Sequence, residues 1–377
     1  MAVATGAAIP LPTVWPTLTL SLCLLFWLAA RDWSEAGPVL RGNPVVQLAL
    51  ALYLLFLLGA LLGDAPLARG WDMLGKYRKL LYIPLLAIVL RDEAWRRRAL
   101  DAFLYALLLT LTASWARYLG LLPPGPPGQE YTVFKSSVTQ GILMAFGVYL
   151  LLWKGRFEPA RRWLWWPLAL LTAGDVLINP GRTGYLLLAL LVPLFLFQQW
   201  RLRGLIAGLL LCTAGATLAW HGSEVFRARM QQLAHNLPGL GDCASTASSQ
   251  LRLQYDRHAL AMIAARPLGF GTGAFRDAYR RWTAGDGCPA TDNPHNQYLL
   301  TAIQIGLPGL VLWIALLFAM WHLRRRLDPP YRALAGAFVL SLALASLANS
   351  MLLDFTEGHW LAFFSALLYA PLGEARA

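Results

Sequence analysis

The stretch DNPHNQYLLTAIQIGLPGL, residues 292–310, joins a cluster of polar side chains directly to an apolar run that continues to about residue 320. A run of roughly 20 apolar residues can cross the hydrocarbon core of a bilayer as an α-helix. The stretch therefore predicts a transmembrane helix over 296–320, with the imidazole of His295 at its mouth. The whole chain is 57% hydrophobic and only 14% charged, whereas soluble domains carry about 25% charged residues. Most of the chain is therefore expected to lie in lipid.

Apolar segments of similar length recur along the chain and predict an all-α polytopic membrane protein with about eleven or twelve spans. The uncharged residues 1–13 leave open whether residues 1–30 hold one span or two. The predicted spans are 14–30, 44–63, 76–91, 99–119, 136–153, 163–179, 184–200, 203–220, 296–320, 333–352 and 359–373.

Basic residues fix the expected orientation, because loops rich in lysine and arginine face the cytoplasm. On this rule the long segment 221–295 faces outward and forms a loop subdomain, with about eight spans in 1–220 and about three in 296–377. Residues 248–267 have apolar side chains at helical spacing and predict an amphipathic helix in this loop. The net charge of +12 is explained by the orientation pattern, and nucleic-acid binding is not indicated. The basic loops are RDEAWRRR (91–98), KGRFEPARR (154–162), RLR (201–203) and RRRLDPPYR (324–332).

Several cations oppose this orientation, since Arg78, Lys135, Arg182 and Arg252 all fall on the expected outer side. Two interpretations remain open. The residues either extend to the interface or pair with acids, or they form an anion site. Arginine suits the second role, because its planar fork binds two phosphate oxygens.

Asp175 is an acid inside a predicted span, which makes it a functional candidate. Its spacing from Asn179 and Arg182 would place all three on one helix face, although Pro180-Gly181 is expected to interrupt the helix. A structural ion pair or hydrogen bond is the alternative interpretation.

His295 is the strongest candidate for chemistry, because histidine accepts a proton near neutral pH. The alternative is a helix-end residue bonded to the backbone. No histidine pair has the spacing of a zinc site, so metal dependence and other cofactors are not indicated. Cys243 and Cys288 both fall in the long polar segment and could form a disulfide.

Three motifs carry a resemblance to a known family. RLQYDRHALAMIAARPLGFGTGAFRDAY (252–279) and PHNQYLLTAIQIGLPGL (294–310) resemble the signature of the bacterial O-antigen ligase and polymerase superfamily, and GRTGYLLLALL (181–191) resembles its arginine-containing turn. The resemblance spans roughly residues 136–315. It implies a GT-C-like enzyme of about twelve spans in the bacterial inner membrane, with one large periplasmic loop carrying amphipathic helices and an active site that faces the periplasm.

The resemblance also implies an activity and roles for single residues. The family transfers glycans from undecaprenyl diphosphate without metal or nucleotide, and a ligase uses a hydroxyl of lipid A-core as acceptor. His295 matches the essential histidine, and Arg182 and Arg252 match the arginines that bind the diphosphate. Lys135 stands where the family often has a further basic residue. Four other residues are supporting candidates: Asn296, Asp175, Arg78 and Tyr298.

Three other functions are compatible with the same sequence features. An O-antigen polymerase would use a second lipid-linked glycan as acceptor, and a protein O-oligosaccharyltransferase would use a pilin side chain. A polysaccharide or lipid transporter is the alternative outside enzymes, but it would place its unusual charges near the middle of the membrane. The short chain after the last predicted span favours the ligase.

Overall fold

The computed structural model describes residues 1–31, 33–34, 36–236, 248–285 and 289–373, and its regular structure there is entirely helical. Short 3-10 helices occupy 159–161, 324–326 and 370–373. This confirms the all-α prediction. The α-helices are α1 (Ala2–Ala8), α2 (Val14–Ala30), α3 (Ala36–Gly42), α4 (Pro44–Leu62), α5 (Leu67–Tyr77), α6 (Lys79–Val89), α7 (Glu93–Tyr118), α8 (Ser137–Phe157), α9 (Arg162–Ile178), α10 (Arg182–Gly222), α11 (Glu224–Asn236), α12 (Ser248–Ala265), α13 (Phe275–Trp282), α14 (Gln297–Leu323), α15 (Pro329–Ala348) and α16 (Phe355–Tyr369).

Six helical segments in the described part of the chain are long and apolar enough to cross a membrane, which supports a multi-pass membrane protein. Fewer helices of the described residues reach the length of a membrane span than the eleven or twelve predicted. The predicted span 76–91 is divided, because α5 ends at Tyr77 and α6 begins at Lys79, and each of these helices has 11 residues. The six segments are Pro44–Leu62, Glu93–Tyr118, Ser137–Phe157, Arg182–Gly222, Gln297–Arg326 and Pro329–Ala348.

Helix α10 is a hairpin of two helices. Its 41 residues would extend about 60 Å as one straight helix, twice the hydrocarbon thickness. The backbone instead leaves helical geometry at Trp200 and at Arg201, where φ is +54°. Beyond the break, Gly208 comes back against Pro193, so closely that a Cβ on Gly208 would collide with the Pro193 backbone. The break coincides with the boundary between the predicted spans 184–200 and 203–220.

The first thirty residues contain one helix of near-spanning length. Helix α2 has 17 residues, whereas α1 has only seven and is about 10 Å long. Helix α1 packs against α7 and α2, and Ala2, Thr5 and Ala8 are buried there. A second full span before α2 is therefore excluded for these residues.

The described chain forms two compact units. Unit 1 contains Met1–Asp32, Val89–Gln231 and Leu323–Ala345. Unit 2 contains Trp33–Ile88, Gln232–His322 and Ser346–Ala377. The units group distant segments by contact, so the predicted linear division into 1–220, 221–295 and 296–377 stays a prediction.

Helix α12 (Ser248–Ala265) covers most of the helix predicted over 248–267 and belongs to the core of unit 2, while the predicted amphipathic character stays a prediction. Its Tyr255 and Met262 pack with Tyr279 of α13 and with Leu300 and Ile303 of α14. The α12–α13 segment is thereby fixed on the start of α14.

The glycine-rich segment 267–273 lies between α4 and a break in α14. Helix α14 loses helical geometry at Ile305 and at Gly306, where φ is +72°. The carbonyl of Ile303 accepts a hydrogen bond from Phe270 N at 2.8 Å, and that of Gln304 accepts one from Gly271 N at 2.8 Å. On the other side, Thr272 N donates to the carbonyl of Gly59 at 3.0 Å. The segment thus satisfies carbonyls that the break leaves without helical partners.

Gly271→Val is expected to destabilise unit 2. The position has φ of +102°, and a Cβ would collide with the backbone of Gly63. A side chain there combines the cost of left-handed backbone with overpacking, each about 1–3 kcal/mol. Thermal unfolding of the purified protein in detergent measures the effect. Gly120→Ala is the control, because Gly120 also has positive φ but has open space around its Cβ. Equal melting temperatures for both variants would contradict the crowding argument.

Candidate active site around His295

His295 lies immediately before the N-cap of α14 in a left-handed backbone conformation, with φ of +56°. Non-glycine residues rarely adopt this conformation unless the surroundings enforce it. Here Asn293 Oδ1 accepts a hydrogen bond from His295 N at 2.9 Å. Asn296 then caps the helix, since its Oδ1 accepts from Tyr298 N at 3.1 Å and from Leu299 N at 3.3 Å. The sequence Asn-Pro-His-Asn therefore fixes the position of the imidazole.

The imidazole of His295 is half-buried, and within the described part of the chain neither ring nitrogen makes a hydrogen bond. The backbone amide, rather than the ring, takes the bond to Asn293. The interpretation of His295 as a structural residue at the helix end therefore stays open.

The turn between α15 and α16, residues 348–354, holds this loop in place. Ser350 Oγ donates to Asn293 Oδ1 at 2.5 Å, and Leu352 N donates to Gln297 Oε1 at 2.8 Å. The carbonyl of Ala348 accepts from Arg252 Nη1 at 3.1 Å. One turn thereby positions both the histidine loop and the arginine of α12.

Lys79 also binds this turn. Its ammonium donates to the carbonyls of Leu352 (3.2 Å), Leu353 (3.2 Å) and Asp354 (2.7 Å). Its charge also acts on Asp354 and Glu357. The neighbouring Arg78, the predicted supporting residue, is exposed and its Nε donates to Tyr82 Oη at 3.0 Å.

Arg252 is the electrostatic centre of this cluster, because its charge acts on His295, Asp256 and Asp354. Asp256 lies one turn further along α12 and is hydrogen-bonded to the side chain of Asn296. Burial raises the pKa of Asp256 to about 6, against the opposing effects of Arg252 and Asn296. Burial and the Glu357 carboxylate likewise raise the pKa of Asp354. The cluster thus combines a guanidinium, an imidazole and two carboxyl groups, Asp256 and Asp354, whose pKa values are raised.

Burial lowers the pKa of His295, and the Arg252 guanidinium lowers it further. A general base accepts a proton only when it is neutral. With His295 as the base, the acid limb of the pH–rate profile of the catalysed reaction is expected below pH 6.5, the ordinary pKa of histidine. Arg252→Gln removes a cation and is expected to move the limb to higher pH. Asp256 titrates in the same range, so Asp256→Asn is the control and should keep the limb. A limb above pH 7 in the wild type would contradict the assignment.

The other predicted site residues belong to unit 1, where Lys135 and Arg182 lie at the same end of α8 and α10. Lys135 precedes α8 by two residues, and Arg182 is the first residue of α10. Gly181 contacts the carbonyl of Ser137, so closely that a Cβ on Gly181 would collide with it. This contact brings the start of the two helices together.

Asp175 is fully buried and is bound by neutral side chains. Gln140 Nε2 donates to Asp175 Oδ2 at 3.2 Å, and Asn179 Nδ2 donates to Asp175 Oδ1 at 3.2 Å. Helix α9 ends at Ile178, so the prediction that Asp175, Asn179 and Arg182 share a helix face is wrong, and the expected interruption at Pro180-Gly181 is confirmed.

The polar network around Asp175 ties together the two segments that carry the basic residues. Gln140 Oε1 accepts from Val133 N at 3.0 Å, and Ser114 Oγ donates to the carbonyl of Tyr131 at 2.7 Å, which fixes the chain before Lys135. The carbonyl of Asn179 accepts from Tyr185 Oη at 2.6 Å, which fixes the turn before Arg182. The network thus determines where both cations are presented.

Comparison with known proteins gives one family. Residues 167–314 match the family model described as O-antigen ligase. No curated protein matches the chain significantly. The O-antigen ligase match covers Asp175, Arg182, Arg252 and His295, and it supports the O-antigen ligase superfamily, whose members are glycosyltransferase-like ligases and polymerases.

Several residues of the site were not singled out from the sequence. Asn293, Ser350 and Asp354 carry no motif signal by themselves, because their importance depends on contacts between distant segments. Lys79 had a signal, since it opposes the expected orientation, as Arg78 does. The predicted disulfide partners Cys243 and Cys288 lie outside the described residues.

Proposed function

We propose that this protein is an O-antigen ligase, which transfers a glycan from undecaprenyl diphosphate to a hydroxyl of lipid A-core at the periplasmic face of the bacterial inner membrane. The family match supports ligase or polymerase chemistry in general terms. The observation that carries the proposal is the half-buried imidazole of His295, held before α14 by Asn293 and influenced by Arg252.

The chemistry follows from these groups. The acceptor hydroxyl attacks the anomeric carbon while the bond from that carbon to the diphosphate oxygen breaks. His295 takes the proton of the hydroxyl, and undecaprenyl diphosphate leaves. Attack opposite the leaving group inverts the configuration at the anomeric carbon.

The leaving diphosphate needs charge stabilisation more than a proton. We assign this role in unit 2 to Arg252, because the carbonyl of Ala348 orients its guanidinium and its charge acts on His295. The resemblance assigns diphosphate binding to Arg182 and Lys135 as well, and that assignment stays a prediction.

Complementation of a gene deletion tests the proposal. Lipopolysaccharide from the deletion strain, and from the strain restored with wild type or with His295→Asn, is resolved on a gel, with membrane levels of each variant checked by immunoblot. A ligase predicts that only the wild type restores ladders on lipid A-core. A single-repeat cap on the core in the deletion strain would assign a polymerase instead. Unchanged lipopolysaccharide would reject lipid A-core as the acceptor and direct the test to pilins.

A further inference from the structure

Lys79 is a buried cation at the start of α6, and only 4% of its surface is exposed. Its aliphatic stem passes Gly358 of α16, where a Cβ would collide with Lys79 Cδ. The ammonium lies 5.7 Å from the centre of the Phe355 ring. Lys79 is therefore enclosed by the first turn of α16, and both residues of α16 belong to unit 2 with it.

The ammonium of Lys79 directs its donors to the backbone of the protein. An ammonium has three N–H groups and no acceptor. The carbonyls of Leu352, Leu353 and Asp354 accept from Nζ at 3.2, 3.2 and 2.7 Å. Three donors thus match three consecutive carbonyls of the turn 348–354. Any effect of Lys79 on the reaction is therefore expected to pass through this turn.

The acids beside Lys79 also oppose the binding of an anion at the same place. The charges of Asp354 and Glu357 both act on the ammonium. A diphosphate placed there would be repelled by these carboxylates. Although Lys79 is a cation on the expected outer side, its surroundings therefore favour a role inside the fold over binding of the donor.

Leu352 connects Lys79 to the start of α14. Its carbonyl accepts from Lys79, and its N–H donates to Gln297 Oε1 at 2.8 Å. Gln297 is the first residue of α14 and follows His295 by two positions. One residue of the turn is therefore bonded both to the buried ammonium and to the backbone segment directly after the histidine.

Ser350 makes a second connection, to the segment before the histidine. Its carbonyl accepts from Leu353 N and Asp354 N, both at 2.9 Å, so it is tied to two of the residues that bind the ammonium. Its Oγ donates to Asn293 Oδ1 at 2.5 Å, and the same oxygen accepts from His295 N at 2.9 Å. The turn thus holds the chain on both sides of His295.

We propose that Lys79 is a positioning residue for glycan transfer, because its ammonium fixes the turn 348–354 and this turn fixes the backbone on both sides of His295. As a statement about catalysis, this inference rests on the proposed function. Without the ammonium, buried carbonyls of the turn would lose their partner, and the turn would rearrange to satisfy them. A misplacement of about 1 Å at a catalytic group can cost about 100-fold in rate.

The test compares Lys79→Met with Lys76→Met in the transfer assay. Methionine keeps an apolar stem and removes the three donors. Lys76 is the matched control, because it is half-exposed and pairs with Asp72 at 3.2 Å on its own helix. Lys79→Met is expected to lower kcat about ten- to a hundredfold, with KM and the binding of undecaprenyl diphosphate unchanged. Lys76→Met should transfer at the wild-type rate.

A second variant separates positioning from a loss of stability. Lys79→Met leaves the buried Asp354 carboxyl without its counter-charge, which is destabilising. Lys79→Met/Asp354→Asn removes that charge but does not restore the three hydrogen bonds to the turn. The double variant should therefore regain the wild-type melting temperature and keep the low kcat. Recovery of kcat together with the melting temperature would overturn the proposal, because charge balance alone would then explain the effect of Lys79.

Hydrogen exchange of the substrate-free, full-length protein in nanodiscs gives a readout that does not depend on transfer. Lys79→Met should raise exchange in residues 292–297 and 348–354 and leave α8 unchanged, whereas Lys76→Met should match the wild type. Wild-type exchange in 292–297, or a uniform rise along the chain, would contradict the proposed link.

The kinetic and exchange measurements together distinguish the possible failures. A higher KM or weaker diphosphate binding in Lys79→Met, with kcat unchanged, would make Lys79 a substrate ligand and overturn the proposal. If the wild type transferred no glycan to lipid A-core while Lys79→Met still raised exchange in 292–297, the ligase would be rejected and the link between Lys79 and the histidine loop would stand.

Discussion

His295→Asn is expected to lower kcat for glycan transfer by about 10²–10⁴-fold, the usual contribution of a positioned general base. Asparagine is the better replacement than alanine, because residue 295 has φ of +56° and asparagine tolerates left-handed backbone. The variant removes the imidazole while it preserves the backbone bond to Asn293. Initial rates with purified enzyme, lipid-linked glycan and lipid A-core give kcat and KM.

The control for His295 is His221→Ala, since His221 is exposed at the end of α10. It should transfer glycan at the wild-type rate. A His295→Asn enzyme that keeps more than a tenth of wild-type kcat would exclude His295 as the base and leave it an orienting role.

Arg252→Gln is expected to lower kcat by about 10²–10³-fold, the effect of removing one preorganised donor to a developing negative charge. Arg252→Lys should recover only part of this loss, because the lysine ammonium keeps the charge but lacks the planar fork that binds two phosphate oxygens side by side. The same transfer assay measures both variants, with folding checked by thermal unfolding.

Arg257 offers the matched control on α12, because it is exposed and lies five residues beyond Arg252. Arg257→Gln should leave kcat unchanged. If Arg252→Gln raised only KM, the arginine would bind the ground state and the transition state equally, and the proposed role in departure of the diphosphate would fail.

The helical character of the chain could be predicted from sequence, because long apolar runs have few alternatives in lipid. The helical spacing of apolar residues in 248–267 predicted α12. The basic loop RLR (201–203) between two apolar runs predicted the turn of the α10 hairpin. The division of 76–91 at Arg78 was missed. Hydropathy averaged over some 20 residues does not reveal where one short apolar helix ends and the next begins. It likewise does not reveal the left-handed turn at Gly306 or the contact of that turn with residues 267–273.

The candidate site was predicted only in part. His295 and Arg252 stood out by residue type and motif, and their shared unit confirms that they belong to one compact body. The spacing of Asp175 suggested a helix face shared with Asn179 and Arg182, but the Asp175 carboxylate accepts hydrogen bonds from Gln140 and Asn179. Hydrogen bonds between segments 35 or more residues apart leave no local signature, so Ser350 and Lys79 could not be assigned their contacts in advance.

The 348–354 turn has a consequence for how the protein is made. Ribosomes deliver the chain from its amino end, and segments fold as they emerge. The turn forms hydrogen bonds with Lys79, Arg252, Asn293 and Gln297, all of which are synthesised before it. During biogenesis the histidine loop therefore stays without its support until α15 and α16 have been inserted. A translation product that stops before residue 348 would contain His295 and Arg252 but lack the turn that positions them, so incomplete chains are expected to be inactive.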